Sequence, residues 1–231
     1  DGKQLGSIVA GLSGSGKTTM ILSTLQKAIK SPSMGEFHRF VIVDPKRQTG
    51  DYDILSEPVN DLDKMFKSIR KNRVSLFWPN LETFEYDVEN IVEYMFSLSD
   101  SDERISFTFI LDEASILITP SRIPLSLKKL SLQGRAKRIK PVFISQRPII
   151  NRWTDANLSN MYLFNTLPVD YDTLSKRWGV DFVQNGTGLR EVDYSFIWFN
   201  MEKASFKMMH PVDLPKPPKK KKKGRWFNLF N

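Results

Sequence analysis

The chain has 231 residues, 40% of them hydrophobic and 12% aromatic, so it can bury one sizeable core, and its length indicates one domain or at most two. It contains no cysteine and only two histidines, which excludes disulfides and cysteine-based structural zinc. The net charge is +8, but residues 1–213 carry 27 basic and 26 acidic side chains, so the excess lies in the tail and indicates no broad DNA-coating face.

Short apolar segments rich in β-branched and aromatic residues alternate with helical segments along most of the chain. Helical periodicity follows the first segment up to Ser31-Pro32 and recurs over residues 86–98. This alternation predicts a doubly wound, mainly parallel α/β sheet. Two late segments, residues 191–200 and 203–209, predict a strand pair at an antiparallel edge. The earlier strands are predicted at residues 6–10, 40–43, 74–78, 107–111, 142–145 and 161–164.

The first strand leads into a glycine-rich loop, GLSGSGKT at residues 11–18, which matches the phosphate-binding pattern G-x-x-x-x-G-K-[ST] between a strand and a helix. Backbone N–H groups of such a loop and the following helix N-terminus surround a phosphate. We expect Lys17 to contact the β- and γ-phosphates and Thr18 to ligate Mg²⁺. No N-K-x-D motif for guanine occurs, so ATP is the expected nucleotide. The predicted nucleotide-binding residues are Gly11, Ser13, Gly14, Ser15, Gly16, Lys17, Thr18 and Thr19.

Two consecutive carboxylates follow the apolar strand at residues 107–111. This position places Asp112 at the carboxyl edge of the sheet, beside the glycine loop. Asp112 is expected to hold Mg²⁺, usually through water, and Glu113 to activate the water that attacks the γ-phosphate. The alternative is a surface acidic pair that only caps the next helix.

A polar amide, Gln146, follows the strand at residues 142–145. At a strand end it can hydrogen-bond both the attacking water and the γ-phosphate, and so report whether that phosphate is still attached. The alternative is a glutamine that satisfies the backbone of its own loop.

The glycine loop, the segment ILDEA at residues 110–114 and the segment FISQRP at residues 143–148, in this order, resemble the FtsK/HerA superfamily of DNA-pumping ATPases. Residues 41–46, VIVDPK, are also similar to its second strand. The resemblance covers about residues 6–200 and is strongest to genome-packaging ATPases of membrane-containing viruses with double-jelly-roll capsids. It implies a RecA-like P-loop fold, double-stranded DNA as partner, and a ring of identical subunits, commonly a homohexamer.

The resemblance further implies that a basic residue of the adjacent subunit stabilises charge that develops on the γ-phosphate. Among the basic residues around the strand at residues 142–145, Arg135 is the first candidate, Arg138 the second, and Arg147 an alternative that acts within or between subunits. For each of them a solvated basic surface is the alternative interpretation. Residues 128–138 can also contact DNA phosphates, and the sequence does not separate the two roles.

The last residues combine prolines, five consecutive lysines and an aromatic end. We expect an ATPase domain over residues 1–212 and an extended Pro/Lys-rich tail over residues 213–231. The segment from Lys219 to Phe230 is interpreted as a contact with a capsid vertex protein, the viral membrane or a neighbouring subunit, with a solubilising disordered end as the alternative. No apolar stretch reaches the roughly 18 residues of a membrane span, so we expect a soluble protein of the virion or the host cytoplasm.

The sequence therefore predicts an ATP hydrolase that drives double-stranded DNA translocation and packages a viral genome into a preformed capsid. One alternative is a cellular DNA translocase or helicase for segregation, conjugation or repair. Others are a P-loop small-molecule kinase and a nonhydrolysing nucleotide-binding scaffold. Glu113 suits activation of water rather than phosphate transfer, and no Arg-rich lid stands out, which argues against the kinase.

Overall fold

The structure is a computed structural model that describes residues 6–148, 151–179, 181–187, 189 and 193–210. These residues form one sheet of nine strands with helices on both faces. The strands are β1 (Gly6–Ala10), β2 (His38–Val43), β3 (Pro58–Val59), β4 (Val74–Phe77), β5 (Ser106–Leu111), β6 (Ile139–Ser145), β7 (Leu158–Leu163), β8 (Phe196–Asn200) and β9 (Ser205–Met209). The helices are α1 (Lys17–Lys30), α2 (Leu62–Lys71), α3 (Phe84–Ser101), α4 (Leu125–Gln133), α5 (Arg152–Asp155), α6 (Pro168–Trp178) and α7 (Phe182–Thr187).

The strand order in the sheet is β3-β4-β2-β5-β6-β1-β7-β8-β9. All pairs from β3 to β7 are parallel, whereas β8 pairs antiparallel with both β7 and β9. The predicted mainly parallel sheet with an antiparallel C-terminal edge is confirmed. Because the central strands are parallel, all their carboxyl ends lie at one edge.

Several predicted strand ends differ by one to three residues from the structure, and two differences are larger. The two-residue strand β3 was missed because so short a segment shows no periodicity. The segment predicted as a strand over residues 191–200 is shorter, since β8 begins only at Phe196. Tyr194 lies in a turn with a φ of 61°, which strand residues do not adopt. Residues 191 and 192 lie outside the described residues.

The helices begin and end where local sequence dictates. α1 starts directly after Gly16, whose φ of 100° breaks the extended chain, and it ends one residue before Ser31, which is extended ahead of a proline. α2 is capped by Asp61, whose side chain accepts a hydrogen bond from the amide of Lys64 at 2.9 Å. α3 contains the predicted helical residues 86–98 and extends beyond them at both ends.

The core consists of two clusters on opposite faces of the sheet. The larger cluster packs α3 and α4 against the sheet, as Val88, Leu127 and Phe109 show. The smaller cluster packs α1, through residues such as Met20, against strand residues such as Ile110. Adjacent residues of β5 thus point to opposite faces, as the pleat requires. Truncating a large buried side chain such as Met20 to alanine costs roughly 2–5 kcal/mol, so these contacts hold α1 on the sheet.

The predicted tail over residues 213–231, including the segment from Lys219 to Phe230, lies outside the described residues. Within the described part of the chain, no helix has both the length and the apolar character needed to cross a membrane. α3 has 18 residues but carries several acidic side chains, among them Glu85, Glu89 and Glu93.

Candidate active site

Three adjacent strands bring the predicted site residues to one edge of the sheet. β5 pairs with β6 and β6 with β1, all in parallel. Asp112 follows β5, Gln146 follows β6 and Gly11 follows β1. The amide of Gly11 also donates a hydrogen bond to the carbonyl of Ser145 at 3.3 Å. The carboxylates, the amide and the glycine loop therefore share the carboxyl edge of the sheet.

The glycine loop between β1 and α1 depends on residues without side chains. Gly14 and Gly16 have φ values of 75° and 100°, in a region that other residues rarely adopt. A Cβ atom on Gly16 would also lie 3.1 Å from Cδ1 of Tyr194. The amide of Leu12 donates to the carbonyl of Asn165 at 2.8 Å, which anchors the loop to the segment after β7. The loop is thus held in the curled shape that cradles a phosphate.

Lys17, the first residue of α1, is buried against its own loop and is only 6% exposed. Its Nζ donates to the carbonyls of Gly11 at 2.6 Å and Leu12 at 2.8 Å. Burial lowers the pKa of Lys17 and the neighbouring Lys46 lowers it further, while two carboxylates partly offset both effects. An anionic phosphate would stabilise this desolvated cation.

Asp112 and Glu113 are adjacent in sequence but hold their carboxylates differently. Asp112 is fully buried; its Oδ2 accepts from the Tyr52 hydroxyl at 3.2 Å and its Oδ1 from the Glu113 amide at 2.8 Å. Glu113 has φ 48° and ψ 41°, a left-handed conformation that costs such a residue roughly 1–2 kcal/mol. Its Oε1 accepts from Nε2 of Gln146 at 3.3 Å. The strained turn therefore holds Glu113 beside Gln146, and the Glu113 side chain makes no helix-cap hydrogen bond.

Lys46, to which the sequence assigned no role, bridges the two carboxylates. Its Nζ lies 3.1 Å from Oδ2 of Asp112 and 3.5 Å from Oε1 of Glu113. Burial opposes the charge, but attraction to Asp112, then to Glu113 and Asp44, raises the pKa of Lys46 overall. A signal was present, since the sequence Asp-Pro-Lys follows β2, which is the neighbour of β5.

Asp44 and Tyr52 complete the buried polar network. Oδ1 of Asp44 accepts from the Lys46 amide at 3.0 Å, whereas its Oδ2 has no hydrogen-bond partner among the described residues. Burial, together with repulsion from Asp112, raises the pKa of Asp44 to about 6. The same two causes raise the pKa of Tyr52, so its hydroxyl remains a donor. Tyr52 is 60 residues away from Asp112 in the sequence, and no local sequence pattern predicts a contact between them.

These elements enclose a cleft of about 440 Å³. Six of the eight predicted nucleotide-binding residues line it: Ser13, Gly14, Gly16, Lys17, Thr18 and Thr19. Gly11 and Ser15 lie behind this lining, since a Cβ on Gly11 would be 2.9 Å from the buried hydroxyl oxygen of Ser15. The other lining residues are Lys46, Gln48, Asp51, Glu113, Gln146 and Tyr194. The cleft has the size and the polar lining that an extended polyphosphate requires.

The donor types of the predicted Mg²⁺ site fit that ion, although Asp112 is fully buried and only Thr18 of the two lines the cleft. Thr18 lines the cleft, and Asp112 already has a cationic partner, the ammonium of Lys46. Hydroxyl and carboxylate oxygens are the ligands that Mg²⁺ prefers, completed by water and phosphate oxygens. Within the described residues, no group of three or more His, Cys, Asp or Glu side chains could hold a metal alone. A bound Mg²⁺ would therefore depend on the nucleotide for much of its coordination.

Arg147 is engaged within its own chain. Its Nη2 lies 2.6 Å and its Nε 3.0 Å from Oδ1 of Asp170, which is 5% exposed. The Thr166 hydroxyl donates to the other Asp170 oxygen at 2.6 Å. These contacts hold the guanidinium beside α6 rather than beside the glycine loop.

Arg135 and Arg138 lie at the opposite edge of the sheet from the cleft. Both precede β6, whose far end leads to Gln146. Nε of Arg138 donates to the carbonyl of Ile105 at 3.1 Å, and its Nη2 donates to the Ser99 hydroxyl at 3.0 Å. Neither arginine reaches the cleft of its own chain. A role toward a neighbouring subunit stays a prediction, for which Arg135 is the exposed candidate.

Comparison with known proteins identifies the fold. The genome-packaging NTPase B204 of Sulfolobus turreted icosahedral virus 2, solved with ATPγS, superposes with a TM-score of 0.70 at 13% identity, over 90% of this chain and 98% of B204. Its sulfate complex gives a TM-score of 0.74 at 13% identity, over 93% of this chain and 100% of B204. This chain has the B204 fold. The predicted resemblance to viral genome-packaging ATPases is thereby confirmed at the level of the fold.

VirB4 of Thermoanaerobacter pseudethanolicus has a similar fold, with a TM-score of 0.66 at 11% identity over 91% of this chain and 90% of VirB4. No protein-family model and no curated protein sequence matches the chain. The similarity to B204 and VirB4 is therefore one of backbone arrangement at low sequence identity.

Proposed function

We propose that this chain is an ATP hydrolase that translocates double-stranded DNA and packages a viral genome into a preformed capsid. One observation carries the proposal: the tips of β1, β5 and β6 bring the glycine loop, Glu113 and Gln146 to one cleft, with the buried Asp112 directly before Glu113. B204, which has the same fold, is a DNA-packaging ATPase whose structure with ATPγS is known.

The geometry supports a division of labour among the cleft residues. Phosphate oxygens compete with the loop carbonyls for the ammonium of Lys17, which then contacts the β- and γ-phosphates. Glu113 accepts the proton of the attacking water, and Gln146 orients that water from its position 3.3 Å from the Glu113 carboxylate. Thr18 and, through water, Asp112 would hold Mg²⁺, which would supply positive charge beside the phosphates.

Lys46 has a positioning role in this scheme. Its ammonium contacts Asp112 and Glu113 together and so fixes the distance between the metal-binding and the water-activating carboxylates. With Arg147 paired to Asp170, the own-chain cations that face the cleft among the described residues are Lys17 and Lys46. A further cation is therefore proposed to come from Arg135 of an adjacent subunit in a homohexameric ring.

The test is ATP turnover measured with and without duplex DNA, for the wild-type chain and for Glu113→Gln. A DNA motor should hydrolyse ATP faster when duplex is present, and the variant should stay inactive under both conditions. ATP turnover that is equal with and without duplex DNA would favour the kinase alternative. If the wild-type chain binds ATP but does not hydrolyse it, either with or without DNA, the proposed hydrolase function is contradicted.

A cellular DNA translocase is the second candidate, because the similarity to VirB4, a bacterial protein, covers as much of the chain as the similarity to B204. DNA-stimulated hydrolysis is expected of both. Omission of the chain from a capsid-filling reaction distinguishes them: a packaging ATPase is required for DNA to become nuclease-resistant inside the capsid, whereas a cellular translocase is dispensable.

A further inference from the structure

Tyr194 lies at the cleft edge on the side opposite the acid pair. It occupies the turn before β8, which pairs with β7, and β7 pairs with β1. Glu113 and Gln146 follow β5 and β6, on the other side of β1. The glycine loop is therefore flanked by the water-activating residues on one side and by Tyr194 on the other.

The ring of Tyr194 is unusually placed for a tyrosine. It is 59% exposed although it lines the cleft together with Thr18 and Thr19. Its backbone φ of 61° is costly for a bulky residue, and such strain persists mainly where the surrounding structure imposes it, often at binding sites. Its Cδ1 lies 3.1 Å from the position that a Cβ on Gly16 would take, so one edge of the ring is pressed against the loop.

Core packing does not explain this placement. Phe196, two residues later, is 4% exposed and packs its ring 4.9 Å from that of Phe164 in the smaller core cluster. Tyr194 belongs to neither core cluster, lines the cleft and is 59% exposed. An exposed aromatic face at the rim of a polar cleft is the kind of surface that stacks with a flat ring.

We propose that Tyr194 is the stacking platform for the purine base of the nucleotide. The inference rests on the proposed ATP hydrolase function, because that function sets the direction in which the nucleotide lies in the cleft. If the γ-phosphate lies beside Glu113 and Gln146, the α-phosphate and the nucleoside leave the loop on the β7–β8 side. The base then meets the exposed face of Tyr194. Stacking favours a purine over the smaller pyrimidine and does not separate adenine from guanine.

The test compares ligands that share the phosphates and differ in the base. ATP, CTP and inorganic tripolyphosphate are titrated by calorimetry into the wild-type chain, Tyr194→Ala and the matched control Tyr194→Phe. Tyr194→Ala should bind ATP about 5- to 100-fold more weakly and tripolyphosphate as the wild type does. Tyr194→Phe, which keeps the ring, should retain ATP affinity.

The outcomes separate this proposal from the proposed function. Equal weakening of ATP and tripolyphosphate by Tyr194→Ala, or no weakening of ATP, overturns the stacking role and leaves the hydrolase intact. Equal affinity of the wild-type chain for ATP and CTP overturns it without any variant, so the test does not depend on the folding of Tyr194→Ala. A wild-type chain that binds neither ATP nor tripolyphosphate overturns the proposed function and the stacking role with it.

Discussion

Asp44→Asn should stabilise the protein at pH 8 and hardly at all at pH 4. Asp44 is 1% exposed, and its Oδ2 has no hydrogen-bond partner among the described residues. Its pKa rises from 3.8 to about 6 because burial and Asp112 disfavour the charged form. The folded chain therefore holds this proton more tightly than the unfolded chain does, and stability falls as the pH rises from 3.8 to about 6.

The magnitude follows from the size of that shift. A raised pKa of this extent destabilises the folded chain by up to about 3 kcal/mol at pH 8 and by less than about 1 kcal/mol at pH 4. The amide carries no charge and can still accept the Lys46 amide hydrogen bond. The attraction between Lys46 and Asp44 is already part of the net pKa shift of Asp44, so the gain at pH 8 is expected at up to about 3 kcal/mol.

Urea unfolding followed by tryptophan fluorescence, without nucleotide or Mg²⁺, measures the effect. Wild type and Asp44→Asn are compared at pH 4 and pH 8, with Asp172→Asn, an exposed residue of α6, as the control. The gain of Asp44→Asn should be larger at pH 8 than at pH 4, and the control should show no such difference. Equal gains in unfolding free energy at both pH values, or no gain at pH 8, would refute the claim that the buried Asp44 charge destabilises the fold.

Three further variants test the site residues. Lys17→Ala should weaken ATP binding about 100-fold or more because two phosphates lose a charged donor, and unchanged affinity by calorimetry would refute that assignment. Glu113→Gln should bind ATP normally and hydrolyse it about 10²- to 10⁴-fold more slowly in a phosphate-release assay; near-normal turnover would exclude Glu113 as the base. Mixed Arg135→Ala and Lys17→Ala subunits should regain partial hydrolysis if Arg135 acts across an interface, whereas no recovery would contradict that role.

The parts of the site that were predictable are those encoded by contiguous residues. β1, the glycine loop and α1 form one uninterrupted segment, and β5 ends directly in its acid pair. Parallel strands end at a common edge, so Gly11, Asp112 and Gln146 could be placed at the same edge from sequence; their meeting in one place depends on the strand order β5-β6-β1. The local chain therefore determines both the cradle and its acidic partner.

The residues that were missed act through long-range contacts or through their orientation. Tyr52 contacts Asp112 across 60 residues, and Tyr194, interpreted as one residue of a strand, lies in a turn against Gly16. The edge position of Arg135 and Arg138 was derivable in principle, because a residue just before a parallel strand lies at the amino edge. They were selected as candidates for their positive charge, but the direction of β6 places them at the amino edge of the sheet.

The left-handed backbone conformation of Glu113 lowers the stability of the fold, whereas its carboxylate is the proposed base for hydrolysis. Glycine adopts φ 48° readily, so a library of variants selected only for heat resistance should drift toward glycine at this position and lose hydrolysis. Glutamate at this position is what selection for ATP turnover, rather than for thermal stability, is expected to keep.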